Sequence, residues 1–113
     1  MKEAKMLPQA LLTALLVAGS SNLPAARTTY SKCLGSFVRA EVKERTAAEV
    51  FATKLGSACK AEEETFRAAS IASDLAAKIP RSAAESNFSD ELAYIRENAV
   101  ETFKNATEPA APR

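Results

Sequence analysis

The sequence has no histidine and no tryptophan, and only two cysteines and three glycines among its 113 residues. Each shortage closes a class of function. Without histidine there is no Ser-His-Asp or Cys-His arrangement, and no side chain that titrates, unperturbed, near neutral pH. Two cysteines with no third and no histidine fall short of a structural zinc set. Three scattered glycines leave no Gly-rich loop to cradle a phosphate. Large apolar side chains are thin as well, with alanine in their place. A small core of this kind needs a staple or a partner to be stable.

A long apolar run is also missing. The longest, Ala10-Leu11-Leu12-Thr13-Ala14-Leu15-Leu16-Val17-Ala18, falls well short of the roughly 20 residues that span a bilayer. With Lys2 and Lys5 ahead of it and small residues from Gly19 to Ala26 behind, it has the order of a secretory signal: positive head, apolar centre, small-residue cleavage region. No cysteine follows for lipid attachment, and no twin arginine precedes the run. The expected boundaries are a signal peptide over residues 1–26, a helical domain over 27–106 and a flexible tail over 107–113. Pro24 fits poorly before a cut at Ala26, and Ala18-Gly19-Ser20 offers an earlier cleavage region. Removing the leader takes away Lys2, Glu3 and Lys5, which brings the overall charge of +1 to zero. No basic stripe remains, so nucleic acid is not an expected partner. No membrane span is expected after cleavage.

Scarce punctuation over the rest of the chain argues for helix rather than sheet. Tyr30, Cys33, Phe37 and Ala40 repeat at helical spacing, with Leu34 and Val38 beside them, and predict a helix over residues 28–44. Thr46-Ala47-Ala48-Glu49 has the form of a capping box that opens a second helix. The apolar face of that helix is Phe51, Leu55, Cys59 and Phe66. Beyond Ala69 the stripe moves to Ile71, Leu75 and Ile79, which predicts a bend or break over residues 70–73, with one long helix as the alternative, and an end at Pro80. A polar connection with competing cap signals then leads to a last helix over residues 89–105, carrying Leu92, Ile95, Ala99 and Phe103 on one face. The fold class is all-α: a bundle of three to four helices.

Thr46 lies midway between Cys33 and Cys59. A chain reversal at residues 45–46 therefore brings both thiols to one level of an antiparallel helical hairpin. Helix axes pack about 8–10 Å apart, whereas disulfide Cα atoms sit about 4.4–6.8 Å apart. The small residues beside each cysteine, Gly35 with Ser36 and Gly56 with Ser57 and Ala58, would permit that approach. In an oxidising compartment the pair is expected as a disulfide clamp. A redox pair would favour a shorter Cys-x-x-Cys loop.

Tyr30-Ser31-Lys32-Cys33, followed by Ala58-Cys59-Lys60-Ala61-Glu62 and Phe66-Arg67, resembles a Tyr-x-x-Cys … Ala-Cys-x-x-Glu pattern in small, uncharacterised exported proteins of alphaproteobacteria. The resemblance spans about residues 28–69. It implies a periplasmic setting, with an extracellular one as the alternative, and carries over no activity and no catalytic residue.

The densest acidic run is Glu62-Glu63-Glu64. Successive helix residues point about 100° apart, so the three cannot converge on one ion. They are expected on a solvated face, with Glu63 paired to Arg67 and Glu64 near Lys60. No catalytic residue, cofactor or metal ligand is assigned. Tyr30 and Tyr94 are candidate interface anchors, although Tyr30 also suits a place covering one end of the hairpin. Together these features point to a non-catalytic envelope protein that meets an unknown protein partner or a second copy of itself. A periplasmic stress-related holdase chaperone is the alternative. A small hydrolase is the remaining alternative, and would need a cleft with a perturbed carboxylate.

Overall fold

The computed structural model describes residues 22–108. The apolar run over residues 10–18, expected as the centre of a signal peptide, and residues 109–113 of the expected tail lie outside them. The described residues form four helices: α1 (Leu23–Lys43), α2 (Ala48–Leu55), α3 (Lys60–Ala76) and α4 (Arg81–Thr107). Helices α1, α3 and α4 pack on one another as a three-helix bundle, and the short α2 lies against α4. The chain is all-α with a Cys33–Cys59 disulfide, as its punctuation and cysteine spacing led us to expect. No helix among the described residues is long and apolar enough to cross a membrane.

Helix α1 begins at Leu23, a full turn before residue 28. Pro24 lies in its first turn, where a missing N–H costs nothing and the fixed φ is already helical. Its buried line is Ala26, Tyr30, Leu34 and Val38, a four-residue repeat closed by Glu41. Cys33 and Phe37 flank this line, half-buried, and Ala40 is exposed. The helix ends in a Schellman motif: the Thr46 amide donates to the Glu41 carbonyl at 3.1 Å, and the Arg45 amide to that of Val42 at 3.1 Å. Arg45 takes the left-handed conformation this motif requires, with φ 59°.

The expected capping box does not form. Ala47 occupies the N-cap of α2 and no side chain caps it. The Thr46 hydroxyl donates instead to the Glu41 carboxylate at 2.6 Å, because the Schellman turn carries Thr46 over the end of α1 rather than the start of α2.

The second arm is broken, but not over residues 70–73. The break falls at Gly56–Cys59, between α2 and α3, and Cys59 stands there at the N-cap of α3 in the left-handed region, with φ 59°. Helix α3 then runs unbroken to Ala76 and ends in a second Schellman motif, with Lys78 left-handed at φ 69° and the Ile79 amide donating to the Asp74 carbonyl at 3.0 Å. Ile71 is buried outside the contiguous core, while Leu75 is 37% exposed. The shifted stripe therefore marks a side face of a straight helix, not a bend.

Pro80 does not end α3; it stands at the N-cap of α4, whose first internal bond runs from the Ala84 amide to the Pro80 carbonyl at 2.9 Å. The segment read as a polar connection is the first two turns of that helix. Ala84, with no exposed surface, and Phe88, at 2%, extend the line of Ala99 and Phe103 back to its start. Burial of this face outweighs the cap signals of Ser82 and Ser89, which are exposed along the helix.

The core consists of two aromatic layers. Tyr30, Phe66 and Phe88 make one, with ring centroids 5.7 Å (Tyr30–Phe66) and 5.1 Å (Phe66–Phe88) apart. Phe37, Phe51 and Phe103 make the other, stacked at 5.3 and 4.1 Å. The disulfide lies between them: Cys33 separates Tyr30 from Phe37 along α1, and Cys59 separates Phe51 from Phe66 along the returning arm.

Candidate functional site

The half-buried disulfide joins the middle of α1 to the N-cap of α3, with Cα atoms 6.0 Å apart. The flanking glycines do not make this approach possible. A Cβ at Gly35 would meet only the flexible end of Arg39, at 3.4 Å, and one at Gly56 only the Thr53 carbonyl oxygen, at 3.6 Å. The left-handed turn at Cys59 does the work instead, aiming its side chain back at α1 as the chain changes direction. The Glu62 carboxylate lies within 4.8 Å of both sulfurs. Since the sulfurs are bonded to each other and hold no thiolate, Glu62 alone keeps a ligand atom there.

Glu63 departs most from expectation. It is 6% exposed rather than solvated, and its partner is Arg96 of α4, not Arg67. Arg96 Nη2 donates to Glu63 Oε1 at 2.6 Å and to the Gly56 carbonyl at 3.2 Å, tying α4 to both ends of the α2–α3 turn. Lys60 Nζ lies 3.6 Å from the other Glu63 oxygen. Arg67 pairs with Glu85 at 3.8 Å and lies over the Phe88 ring at 5.8 Å. Four-residue spacing suggested the Glu63–Arg67 pair, but helix α3 turns Glu63 inward, toward Arg96 of α4 and away from Arg67.

Tyr30 does not cover the hairpin from outside: it has no exposed surface and stands in the core. Its hydroxyl faces the Arg96 guanidinium without the alignment of a hydrogen bond, and both Tyr30 Oη and Arg96 Nε lack a partner among the described residues. Burial pushes the phenol above its ordinary value of 10.0, and the Arg96 charge partly offsets this. Tyr30 is thus unavailable as an interface anchor. Tyr94 is the opposite case, 65% exposed on α4 beside Asp90, Ala93, Arg96, Glu97 and Val100.

A second buried carboxylate closes the far end of the molecule. Glu41, 6% exposed, accepts from Lys54 Nζ at 2.8 Å on each oxygen and from the Thr46 hydroxyl at 2.6 Å. The Lys54 and Thr46 bonds hold its carboxyl below the ordinary 4.5. A general acid needs the opposite shift. Sequence reasoning missed both buried glutamates. For Glu41 a signal was present, because the spacing from Leu34 through Val38 to Glu41 continues the buried line of α1.

The chain matches no known protein family, no curated protein and no solved structure.

Proposed function

We propose that the chain is a non-catalytic, exported interaction protein of the cell envelope, periplasmic in setting, which presents the Tyr94 face of α4 to a protein partner or a second copy. The observation that carries this is the fate of the aromatic residues. All five phenylalanines and Tyr30 serve the two core layers, whereas Tyr94 stands 65% exposed and serves neither. Exposed tyrosine is enriched where proteins bind proteins, since it offers a large rigid ring and a polar tip. The disulfide and the signal-like start support export, and the resemblance to small exported alphaproteobacterial proteins agrees with it.

Sedimentation of the purified chain, and capture of partners from an envelope fraction, test the reading against Tyr94→Ala. The variant should melt at the wild-type temperature yet lose self-association or the captured partner. Unchanged association would remove Tyr94 from the interface.

A second reading, a stress-related holdase, draws support from the two buried carboxylates. Glu41 ties α1 to α2, and Glu63 ties α3 to α4. Protonation of the Glu41 carboxyl in strong acid would loosen the joint between α1 and α2 and expose core surface there. Suppression of client aggregation in acid would favour this reading, and stoichiometric binding near neutral pH the first.

A further inference from the structure

The start of α1 bears on how the exported chain is trimmed. We propose that the leader is removed by hydrolysis of the Ser20–Ser21 peptide bond, so that the mature protein begins at Ser21. The proposal rests on the export reading above, and two independent observations carry it.

The first is the structure of the first turn. The helix opens at Leu23 with Asn22 at its N-cap, and its first bond runs from the Ala26 amide to the Asn22 carbonyl at 2.9 Å. Ala26 is 4% exposed within the contiguous core, and Leu23 packs against that core. A cut after Ala26 would remove both residues and the Pro24 that fixes the helical entry. It would also leave a new ammonium on Arg27, at the positive end of the helix dipole. Arg27 is already committed, since its Nε donates to Glu91 Oε2 at 2.6 Å and its guanidinium lies over the Phe66 ring at 5.5 Å. A cut before Ser21 leaves every one of these groups in place, with the new ammonium upstream of the N-cap.

The second observation is the sequence at the proposed bond. Ala18 and Ser20 are the third and the last residues before it, both small, as a leader peptidase requires. A cut after Ala26 would put Pro24 in the third place. The peptidase acts before folding, so the helix does not block the later bond. What the fold adds is that only the earlier cut delivers a complete core. In the reaction, water supplies a hydroxyl to the Ser20 carboxyl carbon and protons to the released Ser21 amine.

The test is expression of the full precursor in a Gram-negative host, followed by intact mass and N-terminal sequencing of the protein recovered from the envelope. The expected product begins at Ser21. A product beginning at Arg27, or anywhere within α1, would overturn the cut while leaving export standing. A full-length chain beginning at Met1 would overturn export itself. Ser20→Tyr should accumulate unprocessed precursor, and normal trimming of that variant would count against the bond. Chains produced directly from Ser21 and from Arg27 complete the test. The Arg27 chain should melt at a clearly lower temperature, and equal melting would show that the first turn is not part of the folded core.

Discussion

The two aromatic layers on either side of the disulfide are built differently. In the Tyr30 layer the rings tilt or meet edge to face, and charge surrounds them: Arg27 and Arg67 lie over ring faces, and Arg27–Glu91, Arg67–Glu85 and Arg96–Glu63 tie the three long helices together. In the Phe37 layer the rings stack nearly parallel, and one carboxylate, Glu41, closes the end. The first layer belongs to helices long enough to bury a wide stripe. The second includes α2, eight residues long, too short to persist in water without tertiary contacts. The covalent bond thus sits where the self-sufficient layer meets the dependent one. A staple is most useful beside the element least able to hold itself.

The largest effects should come from the rings. Phe66→Ala and Phe103→Ala each remove a side chain that is at most 2% exposed, and each should cost about 3–5 kcal/mol in denaturant unfolding. The layers should separate by added salt. Part of the contribution of Phe66 comes through the Arg27 guanidinium above it, so the Phe66→Ala cost should shrink at high ionic strength and the Phe103→Ala cost should not. Equal salt responses would mean that the charges around the Tyr30 layer are decoration.

Next comes the disulfide, which closes a loop of sequence separation 26. Cys33→Ser with Cys59→Ser should cost about 3–4 kcal/mol in the chain-entropy account. Hydrogen exchange sharpens the comparison: without the bond, the α2 amides should lose protection before those of α3 and the first half of α4. Uniform loss of protection would show that the layers unfold as one unit.

A smaller, local effect belongs to Glu41. Its carboxyl lies below the ordinary 4.5, chiefly through the Lys54 hydrogen bond and then through Thr46. A depressed carboxylate stabilises the fold fully above the unfolded-state value, and that contribution is lost as pH falls through the folded one. Melting temperature should therefore drop between about pH 4.5 and the lower folded value. Thr46→Ala should move the drop to higher pH, and Thr46→Ser should restore it. If Thr46→Ala lowered stability equally at every pH, a helix-capping role would be the better account, contrary to the bond the hydroxyl makes.

That exchange of roles at Thr46 shows what was legible in the sequence. Helix content, the reversal at residues 45–46 and the Cys33–Cys59 bond follow from periodicity and spacing, which are local or symmetric about one turn. The start of α4 was hidden because Ser82 and Ser89 are good caps in isolation, and only the burial of Ala84 and Phe88 by the other helices overrides them. The break at Cys59 was hidden because nothing local marks a cysteine for the left-handed region. Glu63 was misplaced for a similar reason. Its inward turn follows from the course of α3, and its partner lies on another helix.

The smallest prediction tests the close-approach argument itself. The expectation from the sequence is that small residues beside each cysteine, Gly35 and Gly56 among them, permit the close approach, so that a side chain added at Gly35 would hinder it. Gly35 instead lies inside α1, helical and half-buried, and a Cβ would meet only the movable tip of Arg39, at 3.4 Å. Glycine within a helix gives up about 0.5–1 kcal/mol relative to alanine through its greater freedom when unfolded. Gly35→Ala should therefore stabilise the protein by about that amount while the disulfide still forms in full, read by melting and by thiol titration. Free thiols or a lower melting temperature in this variant would restore the view that close helix packing sets the bond. The predicted gain would instead leave the left-handed turn at Cys59 as the feature that brings the sulfurs together.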